Sequence, residues 1–355
     1  ALAIALLPAA SAFAAEDQEA ALKLSETLIS ANRDVQQRSA SSSASTVFTR
    51  ADIERLQPAS VVDLLKRVPG VQVADNGSGS LASLFIRGTK SAQSLVLVDG
   101  MRIGSASSGD SNLQHLNIDQ IERIEVLRGP RSAMYGADAI GGVVQVFTRR
   151  SSGEGFKPFV RMGYGSRGTW QRSAGISGGD EATRFSLAGS LNETNGIDRT
   201  GTSYAADQDH DAYRNKAFSL SLSHSFNDKL EAGVNVLDQR GRTEFDNPFG
   251  RFDMTTFESV EQDPYSDFTV SSVSSYLDAQ LNDTWNSRLE VGHSENREES
   301  LDKLSDERGV FSTYRDSVNW LNTLSLSDSH SRMLGADWYE DQLNSNTAFE
   351  EQQRW

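Results

Sequence analysis

The sequence predicts a transmembrane antiparallel β-barrel preceded by a smaller α+β domain, and two observations support this fold class. Residues 127–148 combine a glycine-rich turn with an apolar strand, in a region where helical and strand patterns alternate. From Phe156 onward the helical signals disappear, and apolar and polar residues alternate with a period of two. The 355 residues contain no cysteine, which excludes disulfides, thiolate metal sites and cysteine nucleophiles.

The chain begins with a segment that has the composition of an export signal. Residues 1–15 are apolar and small, and Ala12-Phe13-Ala14 matches the small-x-small pattern of a cleavage site. We interpret this run as the remnant of a secretory signal peptide without its basic start; an ordinary apolar helix is the alternative. Residues 16–45 are polar and rich in serine near their end, so we expect a flexible N-terminal tail.

Residues 46–150 are predicted to form a compact α+β domain. Thr49 with Asp52, and Ser60 with Asp63, are polar pairs three residues apart, as at helix starts. Pro69-Gly70 is expected to stop the second helix. Four short apolar runs then predict the strands of one small mixed sheet: residues 71–73, 84–86, 95–98 and 121–127.

The glycines between residues 127 and 148 indicate tight backbone packing. Gly141-Gly142 directly precedes the apolar run Val143-Val144, and a glycine pair beside a strand lets another backbone approach closely. A phosphate-binding loop is the alternative reading. That loop should follow its strand and end in Gly-Lys-Ser/Thr, whereas here the strand follows the glycines.

Residues 151–355 are predicted to form part of a β-barrel of about nine strands. Phe218, Leu220 and Leu222 share one face of a strand, and Ser219 and Ser221 share the other. Short Asn-Asp turns alternate with long polar loops. A barrel that surrounds a plug domain uses about 22 strands, so this chain is expected to stop partway round. A soluble β-sandwich would use the same strands and remains the alternative.

The acidic residues are placed unevenly along the chain. Residues 1–150 hold 15 acidic and 15 basic side chains, so the whole net charge of -15 falls on residues 151–355. This balance argues against a nucleic-acid partner and for acidic loops on the barrel. The five histidines are scattered without metal-helix spacing, and no nucleophile motif is found. We therefore do not expect an enzyme, and each histidine is interpreted as a surface or lumen residue.

Aspartates cluster in two adjacent predicted loops, which suggests a site for a hard cation. Calcium binds six to eight oxygens, and carboxylates from two loops could supply several of them. Ordinary solvated aspartates are the alternative. The candidate ligands are Asp198, Asp209, Asp211, Asp246 and Asp253.

Several motifs in residues 46–148 resemble the plug domain of TonB-dependent outer-membrane receptors. They are Val68-Pro69-Gly70-Val71, Phe85-Ile86-Arg87-Gly88, Leu97-Val98-Asp99-Gly100, Arg128-Gly129-Pro130, Tyr135-Gly136 and Gly141-Gly142-Val143-Val144. The resemblance implies a transporter in the bacterial outer membrane, in contact with outer-membrane lipid and driven by TonB with ExbB and ExbD. It also implies a TonB box in the tail, where an extended segment could add to a partner's sheet edge. The box residues would be Glu26, Thr27, Leu28, Ile29, Ser30 and Ala31; a tail without a role is the alternative.

Within this class, the loops are most similar to those of the cobalamin receptors. Gly196-Ile197-Asp198, Asp209-His210-Asp211-Ala212-Tyr213 and Phe245-Asp246 fall where those receptors bind calcium, which implies a calcium ion that orders the extracellular loops and cobalamin or a related corrinoid as substrate. The plug loops presented to that substrate would contribute Ser78, Ser80, Leu81, Ser83, Ser105, Ser107 and Ser108. A ferric-siderophore receptor of the same fold, an exported β-sandwich binding module and an outer-membrane hydrolase are the alternatives.

Overall fold

The computed structural model describes residues 28–29, 36–37, 44–75, 79–151, 153, 155–198, 209–247, 250–252, 254–327 and 330–346. The chain divides into two compact units, Ala1–Ser42 and Ser43–Trp355. In the first unit, β1 (Leu28–Ile29) pairs antiparallel with β2 (Gln36–Gln37). The predicted signal remnant and the box residues Glu26, Thr27, Ser30 and Ala31 lie outside the described residues.

The second unit begins with β3 (Ala44–Thr49), followed by α1 (Arg50–Leu56) and α2 (Val61–Leu65). Both predicted helix starts are found. The Thr49 hydroxyl accepts a hydrogen bond from the backbone N–H of Asp52, whose carboxylate accepts one from the Thr49 N–H, and Ser60 caps α2 through the N–H of Asp63. α2 ends at Leu65, earlier than Pro69-Gly70 was expected to stop it, because the N–H groups of Arg67 and Val68 bond to carbonyls only three residues back.

The α+β domain contains two sheets, so the expectation of one small sheet was wrong. Five strands have the order β3, β8 (Ile121–Arg128), β9 (Gly142–Thr148), β6 (Ser94–Val98), β7 (Met101–Arg102), with only β6 and β9 parallel. The other two, β4 (Val71–Ala74) and β5 (Ser83–Ile86), form a separate antiparallel pair. β3 and β7 occupy the edges of the larger sheet, and the separate pair instead packs Val71, Leu84 and Ile86 into the common core.

The glycine pair allows the close backbone approach that the sequence predicts. A β-carbon on Gly142 would overlap the carbonyl oxygen of Leu127 on β8, and one on Gly141 would overlap the hydroxyl of Thr89. The short helix α3 (Ser132–Tyr135) ends at Gly136, which has a φ of 88°. The glycine-rich run therefore joins the two strands at the centre of this sheet.

Between residues 155 and 345, nine long strands of the described chain form an antiparallel meander in which each long strand pairs with the next long strand. The strand number agrees with the prediction. The strands are β10 (Gly155–Gly165), β11 (Thr169–Gly179), β12 (Thr183–Thr194), β13 (Tyr213–Asn227), β14 (Leu230–Glu244), β17 (Pro264–Asn282), β18 (Trp285–Asp302), β19 (Arg308–Ser327) and β20 (His330–Ser345). The two-residue strands β15 (Arg251–Phe252) and β16 (Ser259–Val260) form a small pair in the loop after β14. Among the described residues, no helix is long and apolar enough to cross a membrane.

The two faces of this sheet have opposite character. On β13, Phe218 and Leu222 are each 42% exposed, whereas Ser219 and Ser221 between them are buried. The Ser219 hydroxyl donates a hydrogen bond of 2.5 Å to Gln120 of the α+β domain. The α+β domain therefore packs against the polar face of the sheet, and the apolar face points away from it.

Candidate ligand site and plug contact

The contact between the two domains is centred on His115. Two turns of 3-10 helix, Leu113–His115 and Ile118–Gln120, carry polar side chains toward β13, β14 and β17. The His115 ring stacks on Phe268, with ring centroids 3.4 Å apart and planes at 8°, and lies 6.0 Å from the ring of Tyr213. The side-chain amide of Asn215 donates to the His115 carbonyl at 2.7 Å. The stacked His115 ring therefore holds its turn against the barrel sheet.

The same turns make further hydrogen bonds to the sheet. The backbone N–H of Asn117 donates to the Gln239 side-chain oxygen at 2.9 Å, and both residues are buried. The Gln120 amide donates to the Ser190 hydroxyl at 2.9 Å and accepts from Ser219. Polar groups that are buried between two domains need such partners, so this interface depends on matched geometry.

Burial also determines the charge state of His115. Its side chain is removed from water, which lowers its pKa from 6.5 to about 3 and keeps the ring neutral at physiological pH. The sequence predicted an ordinary surface or lumen histidine here. The structure buries this histidine between the plug and the polar face of the barrel sheet, where its aromatic neighbours come from strands far along the chain. No local pattern around residue 115 carries that information.

One predicted substrate loop follows β7 and is shaped by its own serines. The Ser105 hydroxyl lies 3.0 Å from that of Ser107 and accepts from the backbone N–H groups of Ser107 and Ser108, both at 3.3 Å. The backbone N–H of Ala106 donates to the Thr313 hydroxyl on β19 at 3.1 Å. Ser105 therefore organises the loop, and Ser107 and Ser108 are the members with exposed side chains.

The other predicted substrate loop precedes β5. Leu81 is 54% exposed, Ser80 and Ser83 are half-buried, and Ser78 lies outside the described residues. The backbone N–H of Ala82 donates to the side chain of Gln114 at 3.2 Å, which joins this loop to the His115 turn. Between plug and sheet is a cavity of about 320 Å³. Its polar lining includes Ser80, Gln114, Asn117, Gln171, Asn192 and Asn215.

Three of the five candidate calcium ligands come together in the structure. Carboxylate oxygens of Asp209, Asp211 and Asp246 all lie within 4.8 Å of one another, with Asp211 buried and Asp209 exposed. Asp198 is half-buried and lies outside this group, although the backbone N–H of Asp211 bonds to the neighbouring Ile197 carbonyl at 3.1 Å. Asp253 lies outside the described residues.

A lysine that the sequence analysis did not single out lies beside this acidic group. The Lys303 ammonium is 2.9 Å from Asp263, 3.1 Å from Glu244 and 3.7 Å from Asp209. Burial raises the pKa of Asp209, and the carboxylate of Asp263 raises it further. Burial alone would lower the pKa of Lys303, but its hydrogen bonds to Asp263 and Glu244 raise it overall. The ends of these loops therefore form a site rich in carboxylate oxygens that suits positive charge, and Lys303 neutralises part of its negative charge.

Residues 37–143 match the family model of the TonB-dependent Receptor Plug Domain. The ferric enterobactin receptor PfeA of Pseudomonas aeruginosa has a TM-score of 0.68 and 19% identity over 84% of this chain and 49% of that one. The ferripyoverdine receptor of the same organism has a TM-score of 0.69 and 16% identity over 92% of this chain and 47% of that one. The siderophore receptor PirA of Acinetobacter baumannii has a TM-score of 0.66 and 22% identity over 84% of this chain and 48% of that one.

Residues 37–143 form a plug domain of the TonB-dependent receptor type, and the antiparallel sheet that follows has the fold of the barrel in the solved receptors. The chain spans about half the length of the solved structures that it matches.

Proposed function

We propose that this receptor imports a metal chelate across the outer membrane in a TonB-coupled cycle. The observation that carries the proposal is a plug domain bonded to the polar face of a barrel sheet, with two polar loops beside it. Ligand above the plug would shift the TonB box, residues 26–31, toward a state that TonB with ExbB and ExbD can bind. This requires the ligand to bind the box-released state more tightly than the resting state.

A ferric siderophore is the first candidate ligand. The solved structures of similar fold are named as receptors for ferric enterobactin, for ferripyoverdine and for siderophores. Such chelates are anionic, and a site for them is expected to present Arg or Lys side chains. Within the described parts of the two plug loops, residues 79–82 and 103–112 contain none.

Cobalamin or a related corrinoid is the second candidate, and the acidic group favours it. Asp209, Asp211 and Asp246 offer the oxygen ligands that calcium prefers, as the resemblance to cobalamin receptors implies. A bound calcium ion would neutralise carboxylates that otherwise repel one another. The chain's own contribution would be to bring the ends of the loops after β12 and β14 together.

Calorimetric titration of the purified receptor in detergent distinguishes the two ligands. Ferric enterobactin and cyanocobalamin are each titrated with 1 mM calcium or with chelator. A siderophore receptor binds the first ligand, without dependence on calcium. A corrinoid receptor binds the second, more tightly with calcium. Binding of neither ligand would contradict both candidates.

The calcium site has its own variant test. Asp211→Asn removes a buried ligand of the acidic group, and Asp228→Asn makes the same change in a turn at the opposite strand end. If the site holds calcium, the calcium affinity measured by titration of the metal alone falls at least about tenfold in Asp211→Asn and does not change in Asp228→Asn. Equal calcium affinity in both variants would remove calcium from the proposal.

The TonB box is tested through strand addition. Proline lacks the backbone N–H that an added strand donates, so Leu28→Pro is expected to abolish uptake while ligand still binds at the surface. Ala21→Pro, in the same tail but outside the box, is the matched control. Normal uptake by the Leu28→Pro receptor would place the box elsewhere.

A further inference from the structure

A row of three amide side chains lines the cavity between the plug and the barrel sheet. Gln171, Asn192 and Asn215 are paired in register across β11, β12 and β13, and all three border this cavity of about 320 Å³. One charged pair in its lining, Lys66 and Asp75 of the plug, lies 2.6 Å apart, so the two charges compensate each other. The cavity therefore offers mainly uncharged donors and acceptors, which suit the hydroxyl and amide groups of a ligand.

Buried polar groups around this cavity have no hydrogen-bond partner among the described residues. The Asn215 amide nitrogen donates to the His115 carbonyl and to the Tyr213 hydroxyl, which leaves its carbonyl oxygen unpaired. The Asn117 carbonyl oxygen accepts from a backbone N–H two residues further along the chain, which leaves its nitrogen unpaired. The Ser173 hydroxyl on β11 is also buried and unpaired. A polar molecule at this wall would supply the partners that these groups need.

Below the amide row, small side chains cover the inner face of the same three strands. Every inward position in the next three cross-strand rows is Gly, Ala or Ser: Ser173, Ser190 and Ala217, then Gly175, Ala188 and Ser219, then Ser177, Ser186 and Ser221. We call these nine positions the small-residue track. Larger side chains border it in the same rows, Phe159 and Arg161 on β10 and Leu237 and Gln239 on β14. The track therefore leaves room between wall and plug once the plug moves.

One plug residue crosses this track directly below the cavity. Gln120 is completely buried, and its side chain donates to the Ser190 hydroxyl at 2.9 Å and accepts from the Ser219 hydroxyl at 2.5 Å. These two serines lie one and two rows below the amides. A shift of the turn Ile118–Gln120 away from β12 and β13 would break both hydrogen bonds and join the cavity to the rest of the track.

We propose that the ligand passes the plug along the inner face of β11, β12 and β13, with the cavity as its first polar subsite and Gln120 as the residue that closes the track. This inference rests on the proposed import function and adds the side of the barrel on which the passage opens. The cavity is at the lower end of the range for small-molecule pockets, about 300–1,000 Å³, so a metal chelate enters only after the turn has moved. Hydroxyl and amide groups at the periphery of the chelate would bond to Asn117, Ser173 and Asn215 on the way.

The test blocks this route with a thiol label, which is specific because the chain has no cysteine of its own. Gln171→Cys and, as a second position in the same row, Asn192→Cys are labelled with a methyl or a benzyl methanethiosulfonate. Glu298→Cys is the matched control, because Glu298 continues the same cross-strand row on β18 and accepts a hydrogen bond from Ser266 across the sheet. Mass spectrometry verifies each label, and surface binding and uptake of ferric enterobactin and cyanocobalamin are measured in cells.

We expect the benzyl label at either amide position to lower uptake at least about tenfold and the methyl label to lower it less than about threefold, because a bulky group overfills the route. Surface binding should not change, and a reducing agent should restore uptake. The labelled Glu298→Cys receptor should import normally. If both benzyl-labelled amide variants import as well as the labelled control, the route is wrong and the import function stands. Uptake of neither ligand by the unlabelled receptor would overturn the import function and the route with it.

Discussion

Acidification is expected to weaken the contact between the plug and the barrel at His115. Burial holds the pKa of this side chain at about 3 in the closed contact, and the pKa returns to 6.5 when the turn opens into water. Between pH 6.5 and 3 the open state therefore binds a proton that the closed state does not. Stability is complete above pH 6.5 and falls by about 1.4 kcal/mol per pH unit below it, so pH 5.0 costs about 2 kcal/mol.

Hydrogen exchange of residues 113–120 measures the free energy of this opening at pH 7.5 and 5.0. His115→Phe keeps a ring against Phe268 but cannot titrate, so its opening free energy should change by less than about 0.5 kcal/mol between the two pH values. The lost hydrogen bond to Tyr213 is long, 3.4 Å, and contributes at most about 1 kcal/mol. His224→Phe, at an exposed position, should retain the full pH dependence. An unchanged pH dependence in His115→Phe would refute this reasoning.

Three further variants test the packing of the plug. Thr49→Ala removes the α1 cap and should cost about 1 kcal/mol, measured by hydrogen exchange of residues 50–56. Gln239→Leu leaves the buried N–H of Asn117 without its acceptor and should lower the free energy of unfolding in urea by about 1–3 kcal/mol. Gly142→Ala would overlap the Leu127 carbonyl and should cost at least about 2 kcal/mol in the same assay. A loss below about 0.5 kcal/mol in any of them would contradict the contact concerned.

The features that the sequence predicted well depend on residues close together in the chain. The Thr49 and Ser60 caps act over three residues, and the alternation on β13 separates Phe218 from Ser219 within one strand. Gly142 was identified because only glycine permits the approach of a neighbouring backbone there. Such local rules are strong enough to determine the element types and the number of barrel strands.

The features that the sequence did not predict depend on distant partners. His115 and Tyr213 are 98 positions apart, and nothing near either residue indicates their contact. Lys303 approaches Asp209 and Glu244 only because the strands of the meander align their ends. Three of the five aspartates that the sequence analysis grouped, Asp209, Asp211 and Asp246, lie close together, and calcium binding by them stays a prediction. Asp198 lies outside the acidic group, and its position depends on how the loop folds, which sequence spacing does not reveal.

The most direct test of the central claim is ligand uptake with the plug fixed to the barrel. The Asn112 amide donates to Asn296 on β18 at 2.6 Å, and the chain has no cysteine, so a reducible cross-link between Asn112→Cys and Asn296→Cys meets no competing thiol in the chain. We predict that cells with the cross-linked receptor bind ligand at the surface but accumulate none, and that a reducing agent restores TonB-dependent uptake. Undiminished uptake by the cross-linked receptor would contradict transport through plug rearrangement.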